Sequence, residues 1–412
     1  MISKWRWLLM QFTRQLWVRA ALLAALGIVT ALAAMIVERY IPWRLSVDIG
    51  ADAVGQILNI IASSMLAVTT FSLGVMVQAY SAAAANVTPR ATRLLMQDAT
   101  TQNVLAVFVG AFLFSLVGIV TFSAGAYGER GRVMLYVVTL LVIGLVVITI
   151  LRWIDHLAHF GRVNETIARV ENAAAAAMKA RVRTPNLGAR PAVEIPSAAR
   201  AVWAPAIGYV QHLDAAALQA CAAAGSGKIH VRALPGAFVH RRTVLAWVEG
   251  EVDADAVAEA FSIGGERSFE QDPRFGLCVL AEVAQRALSP AMNDPGTAIA
   301  VMARLVRVLS IWARPEPADE IACPLVHAPA IGHDDLLEDA FSALARDGAG
   351  IVEVQLRLQK ALTALAEMGD DDFRAAALRQ SRLALERSIA ALSLEDDRRR
   401  VSEAEERGLA AG

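Results

Sequence analysis

The chain has 412 residues, 56% of them hydrophobic and 19% charged, with a formal net charge of −1. Soluble domains sit near about 45–50% apolar and about 25% charged, so a mean hydropathy of +0.44 excludes a disordered or collagen-like chain and argues against a wholly soluble enzyme. Near-balanced charge leaves no electrostatic footprint for nucleic acid, and aromatics at 6% make the apolar excess aliphatic, as lipid-facing helices require.

That excess lies before about residue 155. Uncharged runs cover about 20–37, 54–80, 104–123 and 133–151. A bilayer core of about 30 Å needs about 20 apolar residues in a helix. Residues 1–155 therefore read as a four-helix transmembrane domain, with the second helix long enough to tilt. Ala31-Leu32-Ala33 has the small-x-small look of a cleavage site. The long leader with Lys4, Arg6, Arg14, Arg19, Trp5, Trp7 and Trp17 reads better as a retained interfacial anchor. Basic residues at both ends of the membrane domain (the leader, then Arg152, Arg162, Arg169, Lys179, Arg181 and Arg183) place both termini in the cytoplasm. Trp43 and Trp153 join the leader tryptophans in an expected aromatic belt at the span borders.

The second run carries a pattern of its own. At 100° per residue, Gln56, Asn59, Ser63, Ala67, Thr70, Gly74 and Gln78 fall within an arc of about 100°. Polar side chains avoid lipid, so this stripe must face protein or water. Ser63-xxx-Ala67 and Thr70-xxx-Gly74 suit close helix packing. Asn and Gln at three levels suit a permeation path. Four helices enclose little space, so a path needs a homo-oligomeric ring with this helix innermost. The spans hold no Asp, Glu, Lys or Arg, which counts against a proton-coupled carrier.

The rest reads as a cytoplasmic α+β domain. Residues 156–205 form a helical extension and a proline-rich linker, 206–315 the α+β part, and 316–412 a C-terminal helical region. Lys228–Val248 reads as a β-hairpin turning at Leu234-Pro235-Gly236. It is similar to the barrel-sandwich hairpins that carry biotinyl or lipoyl groups, but without their modified lysine, so no cofactor is expected. Helices are expected over Asp253–Phe261, Phe275–Leu288, Thr297–Ala313, Asp334–Met368 and Asp372–Leu394, then a frayed charged tail. Cys221, Cys278 and Cys323 are scattered, which implies reduced thiols and no cysteine metal site. His156 and His159 are three apart beside Asp155 and read as polar residues at the membrane face rather than metal ligands. His230 and His240 are expected to face each other across the hairpin. Gly225-Ser226-Gly227-Lys228 lacks the upstream glycine of a phosphate loop and precedes a strand. No nucleophile elbow or HExxH string appears, so no catalytic constellation is expected.

The densest motif runs from Arg267 through Asp272-Pro273 and Phe275-Gly276 to Arg286-Ala-Leu-Ser289-Pro290, then Asn293-Asp294-Pro295 and Thr297-Ala298. Asp272 and Asp294 each precede a proline, the pattern of an N-cap before the first helical residue. The small and polar residues from Ser289 to Thr297 leave room for an anionic ligand at a helix start. These strings, with Thr70-Phe71-Ser72-Leu73 and Thr88-Pro89-Arg90, resemble a bacterial family of predicted membrane proteins known as domain of unknown function 2254. The resemblance covers nearly the whole chain and implies topology more than activity. Two functions are expected from the residues. One is an oligomeric, channel-like protein lined by Gln56, Asn59, Ser63, Thr70, Gly74 and Gln78 and passing a small ion. The other is a membrane-tethered sensor or scaffold binding a ligand at Arg267, Asp272, Arg286, Ser289, Asn293, Asp294 and Thr297.

Overall fold

The computed structural model describes Lys4, Trp7, Val18 and residues 21–22, 24–30, 51–96, 98–125, 129–159 and 163–410. The chain is mainly α-helical and divides into two compact units. One comprises residues 8–85 and 92–165, and the other comprises 1–7, 86–91 and 166–412.

The first unit is built on long helices. Within the first apolar run, the described residues from 21 to 30 are helical, and the remainder lies outside the described residues. Then come α1 (Ala51–Asn86), the short α2 (Pro89–Met96), which runs past the unit boundary, α3 (Ala99–Ser123) and α4 (Glu129–His159). Helices α1, α3 and α4 hold apolar stretches of 30, 25 and 27 residues, each enough for a bilayer crossing. Val54, Leu58, Phe114 and Leu135 pack at one level, and Ile61, Met65, Phe108 and Trp153 at another. Gly27 lets its helix approach the backbone of α3, because a Cβ there would stand 2.9 Å from the Gly110 carbonyl oxygen. Asp98 caps α3 by accepting from the Thr101 amide at 2.8 Å.

The aromatic belt needs correction at two positions. Trp153 is buried and donates its indole N–H to Ser72 at 3.0 Å. Trp7 is buried and stacks on His212. A buried indole needs a partner for its N–H, and Ser72 supplies one for Trp153. Trp5, Trp17 and Trp43 lie outside the described residues.

The second unit opens with α5 (Val163–Arg183), which ends in a 3₁₀ turn at Pro185–Gly188. Eight strands follow in two sheets. The larger has the order β1 (Ala189–Pro191), β8 (Cys323–Ala328), β4 (Ile229–Val231), β6 (Val244–Val248), β2 (Arg200–Trp203). It is mixed: β8 runs parallel to both β1 and β4, and β6 antiparallel to β4 and β2. The smaller is antiparallel, with β3 (Gly208–Leu213) between β5 (Phe238–Val239) and β7 (Phe261–Gly264). Short α6 (Ala215–Ala224) and α7 (Ala254–Glu259) complete this part, each capped by the preceding aspartate. The two ends of the expected hairpin do pair, as β4 and β6. Phe238–Val239 between them joins the other sheet, so the module is a pair of sheets that a local β-pattern cannot reveal. His230 accordingly lies against His327 of β8, with ring centroids 5.1 Å apart, and not against His240, which is exposed in the turn before β6.

Six helices remain: α8 (Pro273–Leu288), α9 (Pro295–Ala313), α10 (His333–Asp347), α11 (Val352–Met368), α12 (Asp371–Ala391) and α13 (Glu395–Ala410). Helix α9 is apolar and long enough to span a bilayer. It packs instead by one face within the second unit, where Val301, Leu305, Val308 and Leu309 are buried and Arg304 and Arg307 both engage Glu171 of α5, at 2.5 and 2.6 Å. The amphipathic stretch 334–368 breaks into two helices around Gly348. The expected frayed tail is α13, a packed helix whose Val401 is fully buried. A charged sequence hides this docking, since one or two buried side chains suffice to hold a helix in place.

Candidate functional site

Helix α1 has two opposed faces. Val54, Leu58, Ile61, Met65, Ser72 and Met76 are buried. Gln56, Asn59, Ser63, Ala67, Thr70, Gly74 and Gln78 are all exposed. At 100° per residue the exposed polar stripe is centred about half a turn from the buried face. Two hydroxyls are satisfied within the helix: Ser63 Oγ donates to the Asn59 carbonyl at 2.9 Å, and Thr70 Oγ1 to the Leu66 carbonyl at 3.0 Å. A Cβ on Gly74 would meet nothing within 4 Å. The small-xxx-small pairs therefore point away from the other described helices of this unit, and a close helix contact within it is made elsewhere, at Gly27 and Gly110. From Gln56 to Gln78 the stripe rises about 33 Å, close to the thickness of a bilayer core.

The polar motif of the second unit separates into the two ends of α8. At its start, Asp272 is buried and caps the helix by accepting from the Phe275 amide at 3.2 Å. The Arg267 guanidinium donates to both of its oxygens, Nε to Oδ2 at 2.7 Å and Nη2 to Oδ1 at 3.0 Å. Burial opposes the Arg267 charge, but these bonds and the attraction of Asp272 outweigh it and hold its pKa above the usual guanidinium range. Gly236 has φ +97°, and a Cβ there would collide with the Asp272 carboxylate. Gly276 fits α8 against α5, because its Cβ would collide with Ala174 in the Ala-rich stretch. At the other end Ser289 terminates α8, its Oγ donating to the Arg286 carbonyl at 2.7 Å. The exposed turn passes through Asn293 at φ +47°, a conformation asparagine tolerates. Asp294 then caps α9, accepting from the Thr297 amide at 3.0 Å and its hydroxyl at 2.6 Å. Those bonds lower the Asp294 pKa. Both aspartates are N-caps, as the Asp-Pro pattern predicts. The ends of a 16-residue helix lie about 24 Å apart, so Arg267 and Asp272 do not share a site with Arg286, Ser289, Asn293, Asp294 and Thr297.

Other polar groups have structural partners. His230 Nε2 lies 2.6 Å from Glu249, and His327 Nδ1 2.9 Å from the Pro191 carbonyl. His156 lies 2.9 Å from Asp98 and 3.2 Å from Thr101, and the side chain of His159 lies outside the described residues. The Gly225–Lys228 string makes a tight crossing against residues 249–252. Burial pushes the Cys278 thiol up to about 11. One group escaped the sequence reading. Arg181, near the end of α5, is 5% exposed; its Nη2 donates to the Gln271 carbonyl at 2.8 Å, while its Nη1 is buried with no hydrogen-bond partner. Nothing in sequence separates Arg181 from Arg183 two residues later, which is largely exposed.

Long apolar helices followed by an α+β domain with a helical C-terminal part define a membrane protein with a large appended domain. The chain belongs to the family described as Predicted membrane protein (DUF2254), which it matches over residues 13–364. It is similar to uncharacterized proteins of Mycobacterium tuberculosis (strain H37Rv) and Mycobacterium bovis, each 28% identical over 295 residues. The match covers 66% of this chain and 54% of each relative, so the chain spans about half the length of the curated relatives it matches. No solved structure matches it.

Proposed function

We propose that the protein assembles with copies of itself around the polar face of α1 and forms a channel-like path, regulated by its C-terminal domain. The observation that carries this reading is the position of the stripe. Seven small or polar residues lie on the exposed side of an apolar helix, half a turn from its buried face, over the thickness of a bilayer. Amide side chains are costly in lipid, so Gln56, Asn59 and Gln78 call for water or a second copy. The path holds no charged side chain, which suits passive conduction of a small ion. The basic residues that follow the last span favour a cytoplasmic C-terminal domain, and the reading takes the membrane to be the inner one. The sensor reading has less support, since the residues chosen for it stand at opposite ends of α8.

Native mass measurement in mild detergent, paired with ion flux in liposomes, tests the proposal. A defined oligomer is expected, with flux reduced at least tenfold by Asn59→Leu or Ser63→Leu. A monomer that is silent in liposomes would sink it.

A further inference from the structure

We propose that Arg181 anchors a binding site for a small organic monocarboxylate in the C-terminal domain. A cavity of about 280 Å³ opens beside it, walled by Ala177, Leu187, Leu213 and Ala215, with Gln271 and Glu270 completing the lining. Arg183 and Asp319, both largely exposed, stand at its mouth. The described residues that line the cavity all belong to the second unit.

Three observations converge. First, a guanidinium that is 5% exposed keeps one nitrogen without a partner, and a buried donor left unpaired is rare and costly. Second, among the described residues no carboxylate is hydrogen-bonded to it. The carboxylate acting on Arg181 is Asp272, and Arg267 already takes both oxygens of Asp272. The buried trio therefore carries one excess positive charge. Burial draws the Arg181 pKa down to about 10, against the pull of Asp272, which still leaves it charged at neutral pH. Third, the walls are apolar. Water occupies about 30 Å³ per molecule in the liquid, so the space suits a ligand of several carbon atoms rather than a lone ion.

A carboxylate fits this chemistry. It meets the Arg181 guanidinium at the cavity wall, its single charge balances the trio, and a short hydrocarbon tail covers the alanines and leucines. A phosphate dianion fits less well, because Glu270 and Asp319 border the site. The inference does not rest on the conduction reading, since no residue of α1 enters it.

Purified full-length protein in detergent is titrated with propionate and with benzoate, and separately with inorganic phosphate, while thermal unfolding is followed. The expected result is a saturable rise in Tm on the order of 5 °C at a hundredfold excess over Kd with one of the carboxylates. Arg181→Met removes the response and leaves the ligand-free Tm unchanged or higher, because it deletes the excess buried charge of the trio. Ala180→Leu, at an exposed cavity-lining position on α5, weakens the response at least tenfold and keeps the protein folded. If Arg181→Met fails to fold, Ala180→Leu decides. No response to either carboxylate, a response to phosphate alone, or a carboxylate response that survives both substitutions overturns the proposal. Loss of flux in Asn59→Leu leaves it untouched.

Discussion

Asp272 and Asp294 occupy the same sequence context, an aspartate before a proline, and both cap helices. Their environments make them unequal. Asp272 is 2% exposed and holds Arg267 in a two-point grip. Removing one partner of a buried ion pair typically costs about 3–5 kcal/mol, so Asp272→Ala should lose about that much in denaturant unfolding. Asp294 is exposed, and Asp294→Ala should cost only about 1 kcal/mol, the usual worth of a cap. Asn caps as well as Asp, so Asp294→Asn should be nearly neutral at pH 7. Its effect is on pH dependence. The folded-state pKa of Asp294 is lowered by the Thr297 hydroxyl and amide. Such a group contributes stability above the unfolded carboxylate pKa of about 3.9 and loses it as pH falls through the folded value. Wild type, which matches Asp294→Asn in Tm at pH 7, should therefore fall below it as pH drops under about 4. Glu171 acts in the same direction: burial raises its pKa, but hydrogen bonds from Arg307 and Arg304 outweigh burial and lower it. Both caps were legible in sequence because capping is local, whereas the pairing with Arg267 and the difference in burial depend on the fold around them.

At the scale of elements, α1 and α13 show opposite limits of pattern reading. The stripe on α1 follows from helix geometry alone. Its side of the molecule does not, because seven residues on one arc can face a neighbouring helix or the outside. Packing of α3 and α4 on Val54, Leu58, Ile61 and Met65 turns the stripe outward. Leucine at Asn59 or Ser63 should therefore leave the thermal stability of the dissociated protomer within about 0.5 kcal/mol, as for other exposed positions, while altering assembly or flux. Helix α13 is the reverse case. Its sequence is strongly charged, so it read as a frayed tail, yet Val401 is fully buried. Val401→Asp should release α13, seen as loss of hydrogen-exchange protection confined to Glu395–Ala410 while the other helices of its unit keep theirs. The β-module was visible as alternation in Ile229–Val231 and Val244–Val248. Strand β8 completes the sheet from about 75 residues farther along the chain, beyond the reach of a local pattern.

At the scale of the whole molecule, two polar features carry the proposals. One is the outward face of α1, which we propose meets other copies of the chain. The other is the buried guanidinium of Arg181, which calls for an anion. Cross-linking in native membranes through a cysteine placed at Ala67 should trap a dimer if the stripes of neighbouring copies meet, and the same cysteine at Ile57, on the flank of the helix, should not. Absence of cross-linking at Ala67 would count against a shared central face.

The sequence by itself determined which N-terminal stretches are uncharged and long enough to cross a bilayer, that α1 carries a polar stripe, and where α8 and α9 begin. Uncharged length, helical periodicity and aspartate before proline act within a few turns of backbone, so they are readable without coordinates. Only the tertiary structure decided which way the stripe faces, that α9 packs by one face within the second unit, and that Arg181 is buried beside a cavity while Arg183 reaches solvent. Burial belongs to contacts between distant segments, and the same residue types can be placed inside or outside by neighbours that lie tens to hundreds of positions away.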